Sequence, residues 1–182
     1  GQDWSEREKA ALALLENWDF EATADSGATA VFFATYRAAI MVAMSDELPP
    51  QARRFVLSLP YPYFFFDQWF EAEDHPAWDD RQTPELETRS AVLVAAFRQA
   101  VKELRRDLGR KVEKWTWGEL HFRQFKHPFG SKKILAKKVN MPRSPAGGAW
   151  GALRKSHFDM GNPDHPYRSI GGAVLRMAVD MA

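Results

Sequence analysis

Apolar positions recur at helical spacing near the start of the chain. Ser5 followed by Glu8 is a capping-box pattern, and Ala11, Leu14, Leu15 and Trp18 follow on one face, which predicts an amphipathic helix over 6–17. The next run, "SGATAVFFATYRAAIMVAM" from Ser26 to Met44, is apolar on almost every side, with Arg37 its only charge. Such a pattern predicts a helix covered by neighbours on most of its surface. It is too short, too rich in Ala and too interrupted for a membrane span, which needs about 20 apolar residues. From Pro49 to Asp80 five prolines (Pro49, Pro50, Pro60, Pro62 and Pro76) punctuate a stretch crowded with aromatics, so short helical turns and irregular chain are expected there. Thr83 then reads as a cap, Pro84 as the first helical position and Gly109 as the stop, with Leu93, Phe97, Val101, Leu104 and Leu108 as the buried stripe between them.

Beyond Gly109 the period changes. Trp115, Trp117 and later Phe122 alternate with polar residues, and Gly118 and Gly130 punctuate the run, as expected for strands. Residues 131–151 are basic and then rich in Pro and Gly, which predicts a long connection. The last thirty residues carry short β-rich runs. The chain therefore reads as α+β, a helical region over 1–110 followed by a strand-rich region over 111–182. A strand running off the C-terminus, and helices with apolar surface to spare, suggest that both regions are parts of one larger layered domain.

Composition narrows the chemistry. With 45% apolar and 13% aromatic residues in 182, there is material for a real core. The 25 Lys and Arg against 24 Asp and Glu leave a formal charge of +1, so no global field draws in nucleic acid or an anionic membrane. Any charged partner has to be argued from a local patch, and Lys132, Lys133, Lys137, Lys138 and Arg143 form one. Phosphate contact is conceivable there, but no nucleic-acid motif accompanies it and a solvated loop explains it. The absence of cysteine removes disulfides, thiolate nucleophiles and Cys-based zinc sites. The start, "GQDWSEREK", has no apolar run after its charges and so is no signal peptide in this form.

The run "WTWGELHFRQFKHPFG" over 115–130 concentrates histidines and aromatics and raises the question of an active site. His121 and His127 are six apart; in an extended run they would stand roughly 20 Å from each other, too far to share an ion. His75, His127 and His165 precede prolines in turns, while His121 and His157 fall in expected strands. The carboxylates of "DELPP", "EAEDHPAWDD" and "MAVD" lack the spacing of a calcium loop. No nucleophile elbow, phosphate loop, dinucleotide fingerprint or zinc helix motif occurs. A histidine-based metalloenzyme is thus the reading with least support, and no metal, cofactor or catalytic residue is assigned from spacing.

A resemblance goes further. "WTWGELHFRQFKHPFG", read with "SPAGGAWGALRKSHFDMGNPDHPYRSIGGAVLRMAVDM", resembles the C-terminal part of the β-subunit of the penicillin acylase family. That family often shows W-x-W-G-x-x-H, a His-Pro turn, a Gly-rich connection and a closing R-M-x-x-D. Here those positions are Trp115, Trp117, Gly118, His121, His127, Pro128, Gly147, Gly148, Arg176, Met177 and Asp180. "LLENWDF" and "ADSGATAVFFATY" are similar to the family's Leu-x-x-Trp-Asp helix end and the helix after it. The Gly-Pro-Ser that often precedes the Arg-Met pair is replaced by "GAVL".

The resemblance implies a periplasmic or secreted amidohydrolase of the N-terminal nucleophile type, cut autocatalytically from a precursor, with a four-layer α-β-β-α core and no cofactor. A Ser at the start of the β-subunit attacks the amide carbonyl with its own α-amino group as base, and an Asn and backbone N–H groups hold the oxyanion. Substrates are N-acyl compounds of the β-lactam or acyl-homoserine lactone type. Because residue 1 is Gly, the nucleophile, the Asn and a nearby Arg are expected in sequence preceding this chain, in the remainder of the β-subunit and the α-subunit. No catalytic residue is therefore carried over, and the chain alone is expected to be inactive. Trp115 and Trp117 are expected to be anchors on one strand face whose N–H groups need partners. The alternative is an autonomous protein-interaction module on an acylase-derived scaffold, using the aromatic 61–78 region and the basic loop.

Overall fold

The computed structural model describes residues 2–59 and 63–172. Helix α1 (Glu6–Glu16) opens on the expected capping box: the Ser5 N–H donates to the Glu8 carboxylate at 2.8 Å and the Glu8 N–H donates back to the Ser5 hydroxyl at 3.4 Å. Helix α2 (Gly27–Ala43) starts at Ser26, whose hydroxyl accepts the Thr29 N–H at 3.1 Å. Its buried Ala30, Ala34, Ala38 and Ala39 give it a low profile, so α5 (Arg89–Leu108) packs closely along it through Ala96, Phe97, Ala100, Val101 and Leu104. This helix pair is the centre of the core. The Pro-rich aromatic stretch forms α3 (Pro50–Ser58), α4 (Tyr63–Glu71) and a single 3-10 turn at Pro76–Trp78.

The start of α5 differs from the sequence expectation. Thr88 caps it, accepting the Ala91 N–H at 3.2 Å, so Thr83 and Pro84 lie outside the helix. Local side chains explain the delay. The Thr83 hydroxyl donates to Glu87 at 2.8 Å, Glu87 accepts the Asp80 N–H at 2.9 Å, and Asp79 accepts the Glu87 N–H at 3.2 Å. These bonds offer the 79–87 backbone an alternative to a first helical turn. The stop is as read: Gly109 has φ 93° and ψ −175°, a conformation nearly restricted to glycine. Nothing crowds the position where its Cβ would stand, so a side chain there meets backbone strain alone. Gly109→Ala is expected to cost about 1–3 kcal/mol in a urea titration; an unchanged midpoint would show that this turn relaxes freely.

Residues 111–130 are also not the strands that alternation predicts. Val112–Lys114 is a 3-10 turn, Trp117–Leu120 a single helical turn (α6), and only Phe122–Arg123 (β1) is extended and paired. The backbone groups find long-range partners instead of a ladder. Trp117 N–H donates to Ser26 O at 3.0 Å and Gly118 N–H to Ala24 O at 2.6 Å, binding this segment to the chain entering α2. Gly118 is needed there, since a Cβ would lie 2.7 Å from that of Pro145. Both indoles are buried and both have the partners they require, but on separate groups: Trp115 donates to Gly109 O and Trp117 to Gly148 O, each at 2.9 Å. They are anchors of two loops, not of one strand face.

The expected connection over 131–151 contains a further helix, α7 (Lys133–Val139), and a short strand β2 (Ser144–Pro145) antiparallel to β1. A second pair joins β3 (Ser156–Phe158) to β4 (Ser169–Gly172), with an irregularity between His157 and Phe158. The architecture is thus mixed α+β with helices preceding strands, and among the described residues the strands are short and two-by-two. One core cluster takes Phe33 and Ala100 from the helices and Trp117, Phe158, Met160 and Tyr167 from the later chain. Among the described residues no helix is long and apolar enough to cross a membrane. The final expected strand, with Arg176, Met177 and Asp180, lies outside the described residues.

Candidate functional site

The Trp-x-x-x-His spacing of α6 brings two rings together. Trp117 and His121 stand one turn apart, their rings stacked 4.7 Å centroid to centroid and 7° from parallel. Phe33 from α2 also stacks on the indole, at 5.0 Å, and Phe158 from β3 meets both rings edge-on. Period-two alternation in β3 points Ser156 and Phe158 to the same inner face, which brings the Ser156 hydroxyl to the His121 ring.

His121 is fully enclosed and uses both ring nitrogens. Nδ1 lies 2.7 Å from the Tyr167 carbonyl oxygen and Nε2 lies 2.8 Å from Ser156 Oγ, which in turn is 2.9 Å from Ser169 Oγ. A carbonyl only accepts, so the proton sits on Nδ1 and donates to Tyr167. Nε2 then accepts the Ser156 O–H, and Ser156 accepts the Ser169 O–H. Burial, opposed by the bond to Tyr167 and reinforced by the nearby Arg123 and Arg154, brings the imidazole pKa down to about 4. His121 is neutral at neutral pH.

A hydroxyl on an imidazole held by a third group has the outline of a nucleophile, base and orienting residue. Two features argue against that use. The third group is an uncharged carbonyl rather than a carboxylate, and His121 and Ser156 both have 0% exposure, so no acyl group can approach. What the arrangement does is hold: it ties α6 to β3, β4 and the Tyr167 turn by polar bonds inside an aromatic shell. Its serines escape a sequence reading because they lie 35 and 48 residues after His121; only "KSHF", with a polar residue two before a core aromatic, marks one of them.

The other histidines are scattered. Nδ1 of His75 accepts the Ala77 N–H and Nδ1 of His127 accepts the Phe129 N–H, each at 3.2 Å, so both close the turn before a proline. His127 is exposed while His121 is buried. His165 sits 3.4 Å from an Arg143 guanidinium nitrogen and edge-on to Phe122, its pKa lowered by desolvation and by Arg143 and Arg168. His157 lies in β3, on the face opposite Ser156. Among the described residues no group of three or more His, Asp or Glu stands close enough to hold a metal ion. The carboxylates Asp79, Asp80 and Glu87 belong to the turn before α5.

Two of the open surfaces border the core. A polar cleft of about 550 Å³ lies between α5 and the turn before β4, lined by Arg37, Glu103, Asp107, Arg143, His165 and the buried Tyr167. An apolar groove of about 600 Å³ is formed by Leu15, Trp18, Phe20, Phe32 and Trp150. Phe20 adopts a positive φ of 63° and is 80% exposed, which is costly in an isolated surface.

The family model described as penicillin amidase matches residues 2–182. Acyl-homoserine lactone acylase QuiP of Pseudomonas syringae pv. syringae is 31% identical over 121 residues, 64% of this chain and 14% of that protein. The acylase of the same name from Pseudomonas aeruginosa is 30% identical over 120 residues, 63% of this chain and 14% of its own. That of Pseudomonas fluorescens is 28% identical over 157 residues, 81% of this chain and 19% of its own. The chain spans less than a fifth of the length of these curated relatives.

Proposed function

Since the chain belongs to the penicillin amidase family of N-terminal nucleophile hydrolases, we propose that it is the C-terminal part of an acylase that hydrolyses N-acyl amide bonds. The observation that carries this reading is the family match over residues 2–182. Substrates are of the β-lactam or acyl-homoserine lactone type, the second supported by what the relatives' names say of them. The enzyme is periplasmic or secreted and assembled from the two subunits of a processed precursor.

In this chemistry a Ser hydroxyl attacks the amide carbonyl while the α-amino group of the same residue takes its proton. The amine leaves with that proton, and water hydrolyses the acyl-enzyme. In this reading none of these roles falls to residues 1–182. Their part is structural support: the α2–α5 pair and the Trp117–His121 clamp present a packed body to the catalytic portion, and the apolar groove around Phe20 is surface suited to being covered by it. Exposed Phe55, Phe64 and Phe65 favour a second reading, an interaction module on the same scaffold.

An N-acyl chromogenic amide decides between them. The isolated 182-residue chain is expected to show no rate above buffer, and the complete precursor to mature to a Ser terminus and hydrolyse the amide. Turnover by the isolated chain would sink the support role. A complete protein that is inactive, monomeric and unprocessed would favour the interaction module.

A further inference from the structure

The near-neutral total hides a strong segregation of charge. Between Leu120 and Phe158 stand nine Lys and Arg and no Asp or Glu, which leaves sixteen basic against twenty-four acidic residues for the rest of the chain. The centre of this segment is a built lobe over residues 125–141. Met141 N–H donates to Phe125 O at 3.1 Å, and Asn140 closes the lobe from inside, accepting the His127 N–H at 2.9 Å and donating to Gly130 O at 3.3 Å. Gly130 is buried against that amide, where a Cβ has no room.

The lobe's outer surface mixes two chemistries. Phe125, Phe129, Ile134 and Met141 are between 59% and 88% exposed. Lys126, Lys132, Lys137 and Lys138 are interleaved with them, exposed, and among the described residues in no ion pair. On α7, Lys137 and Lys138 stand three and four residues after Ile134 and so share its face. Beside the lobe a cleft of about 540 Å³ is lined by Arg123, Phe125, Lys126, Arg168 and Ile170 and, among the described residues, by no carboxylate.

We propose that the 125–141 lobe and this cleft dock the protein onto an anionic phospholipid bilayer. The cations attract the negative surface, the cleft accepts phosphate headgroups, and Ile134, Phe129 and Met141 enter the acyl boundary while the lysine stems lie along it. The apolar tips select this occupant over nucleic acid, since Ile134 and Met141 gain nothing from a phosphate backbone but lose their water contact in lipid. The inference uses no assumption about the reaction catalysed.

The test is co-sedimentation of the full-length protein with phosphatidylcholine vesicles, with and without phosphatidylglycerol. Binding is expected only with phosphatidylglycerol, and it should fall steeply as salt rises from about 0.1 M to about 1 M, where the screening length shrinks from about 10 to about 3 Å. Lys137→Ala and Lys138→Ala should each weaken it roughly fivefold, and Ile134→Ser should weaken it with the charge unchanged. Melting curves check that the variants fold, and the salt series on the unmodified protein stands without them. No sedimentation, equal binding to both vesicle types, or indifference to salt would overturn the proposal. So would binding to duplex DNA or polyglutamate with none to vesicles, which would reassign the lobe to another partner.

Discussion

Trp117→Ala is expected to destabilise the protein by about 3–5 kcal/mol, enough to unfold a marginally stable domain. The indole has no exposure and contacts both the helical and the strand-bearing parts: Phe33 of α2, His121 of its own turn, Phe158 of β3 and Tyr167. Its N–H also satisfies the Gly148 carbonyl at 2.9 Å. Removing it leaves a cavity where helical and strand-bearing parts meet, and those parts cannot collapse toward each other while His121 remains tied to Ser156 and Tyr167. Trp117→Phe separates the two contributions. It keeps most of the ring and orphans the Gly148 carbonyl, and should cost about 1–3 kcal/mol. Urea titration of both variants checks the order. A Trp117→Ala loss below that of Trp117→Phe would mean that the shell closes over the gap.

The second large effect is a dependence on acid. His121 is neutral in the folded protein down to a pKa of about 4, whereas in the unfolded chain it protonates near the ordinary 6.5. The unfolded state therefore binds the proton first. Stability is at its full value above pH 6.5, falls progressively as pH drops toward 4, and loses nothing more from this group below that. At 1.36 kcal/mol per unit, the loss across the window is about 3 kcal/mol. His165, also shifted down by desolvation and by Arg143, contributes in the same direction. Carboxylates titrate there too, so the comparison is internal: the fall in unfolding free energy from pH 7 to pH 4.5 should be clearly steeper for the native protein than for His121→Gln. That variant starts lower at pH 7, because the ring's packing on Trp117 is gone. Equal slopes would show that His121 is not a buried neutral group.

These two residues illustrate how far a linear reading reaches. The W-x-W-G-x-x-H motif singles out Trp117 and His121 as family positions, and the need of an indole N–H for a partner is visible from the residue type alone. Their secondary structure is not visible. Alternation of Trp115, Trp117 and Phe122 has a strand's period, yet the backbone N–H groups of Trp117 and Gly118 are taken by Ser26 and Ala24, ninety residues earlier, and the segment turns instead. The same limit appears at Thr83, where a cap signal followed by Pro and Glu is overridden by Asp79, Asp80 and Glu87 bonding one another's backbone. In the basic stretch, nothing in "KKILAKKV" forbids a helix, but proline and glycine beyond it obscure so short a run.

The sequence by itself determined what is local or additive: the α1 capping box, the all-round apolar face of α2, the apolar stripe of α5, the glycine that stops it, the α+β order, and through its motifs the family. Tertiary structure alone decided where the polar groups of the later chain find partners. Ser156 and the Tyr167 carbonyl meet on His121, and Ser169 on Ser156, only because β3, β4 and α6 pack around one aromatic cluster. A buried hydrogen bond is satisfied by whichever group the fold brings within about 3 Å, and separation along the chain leaves no periodic trace of that choice.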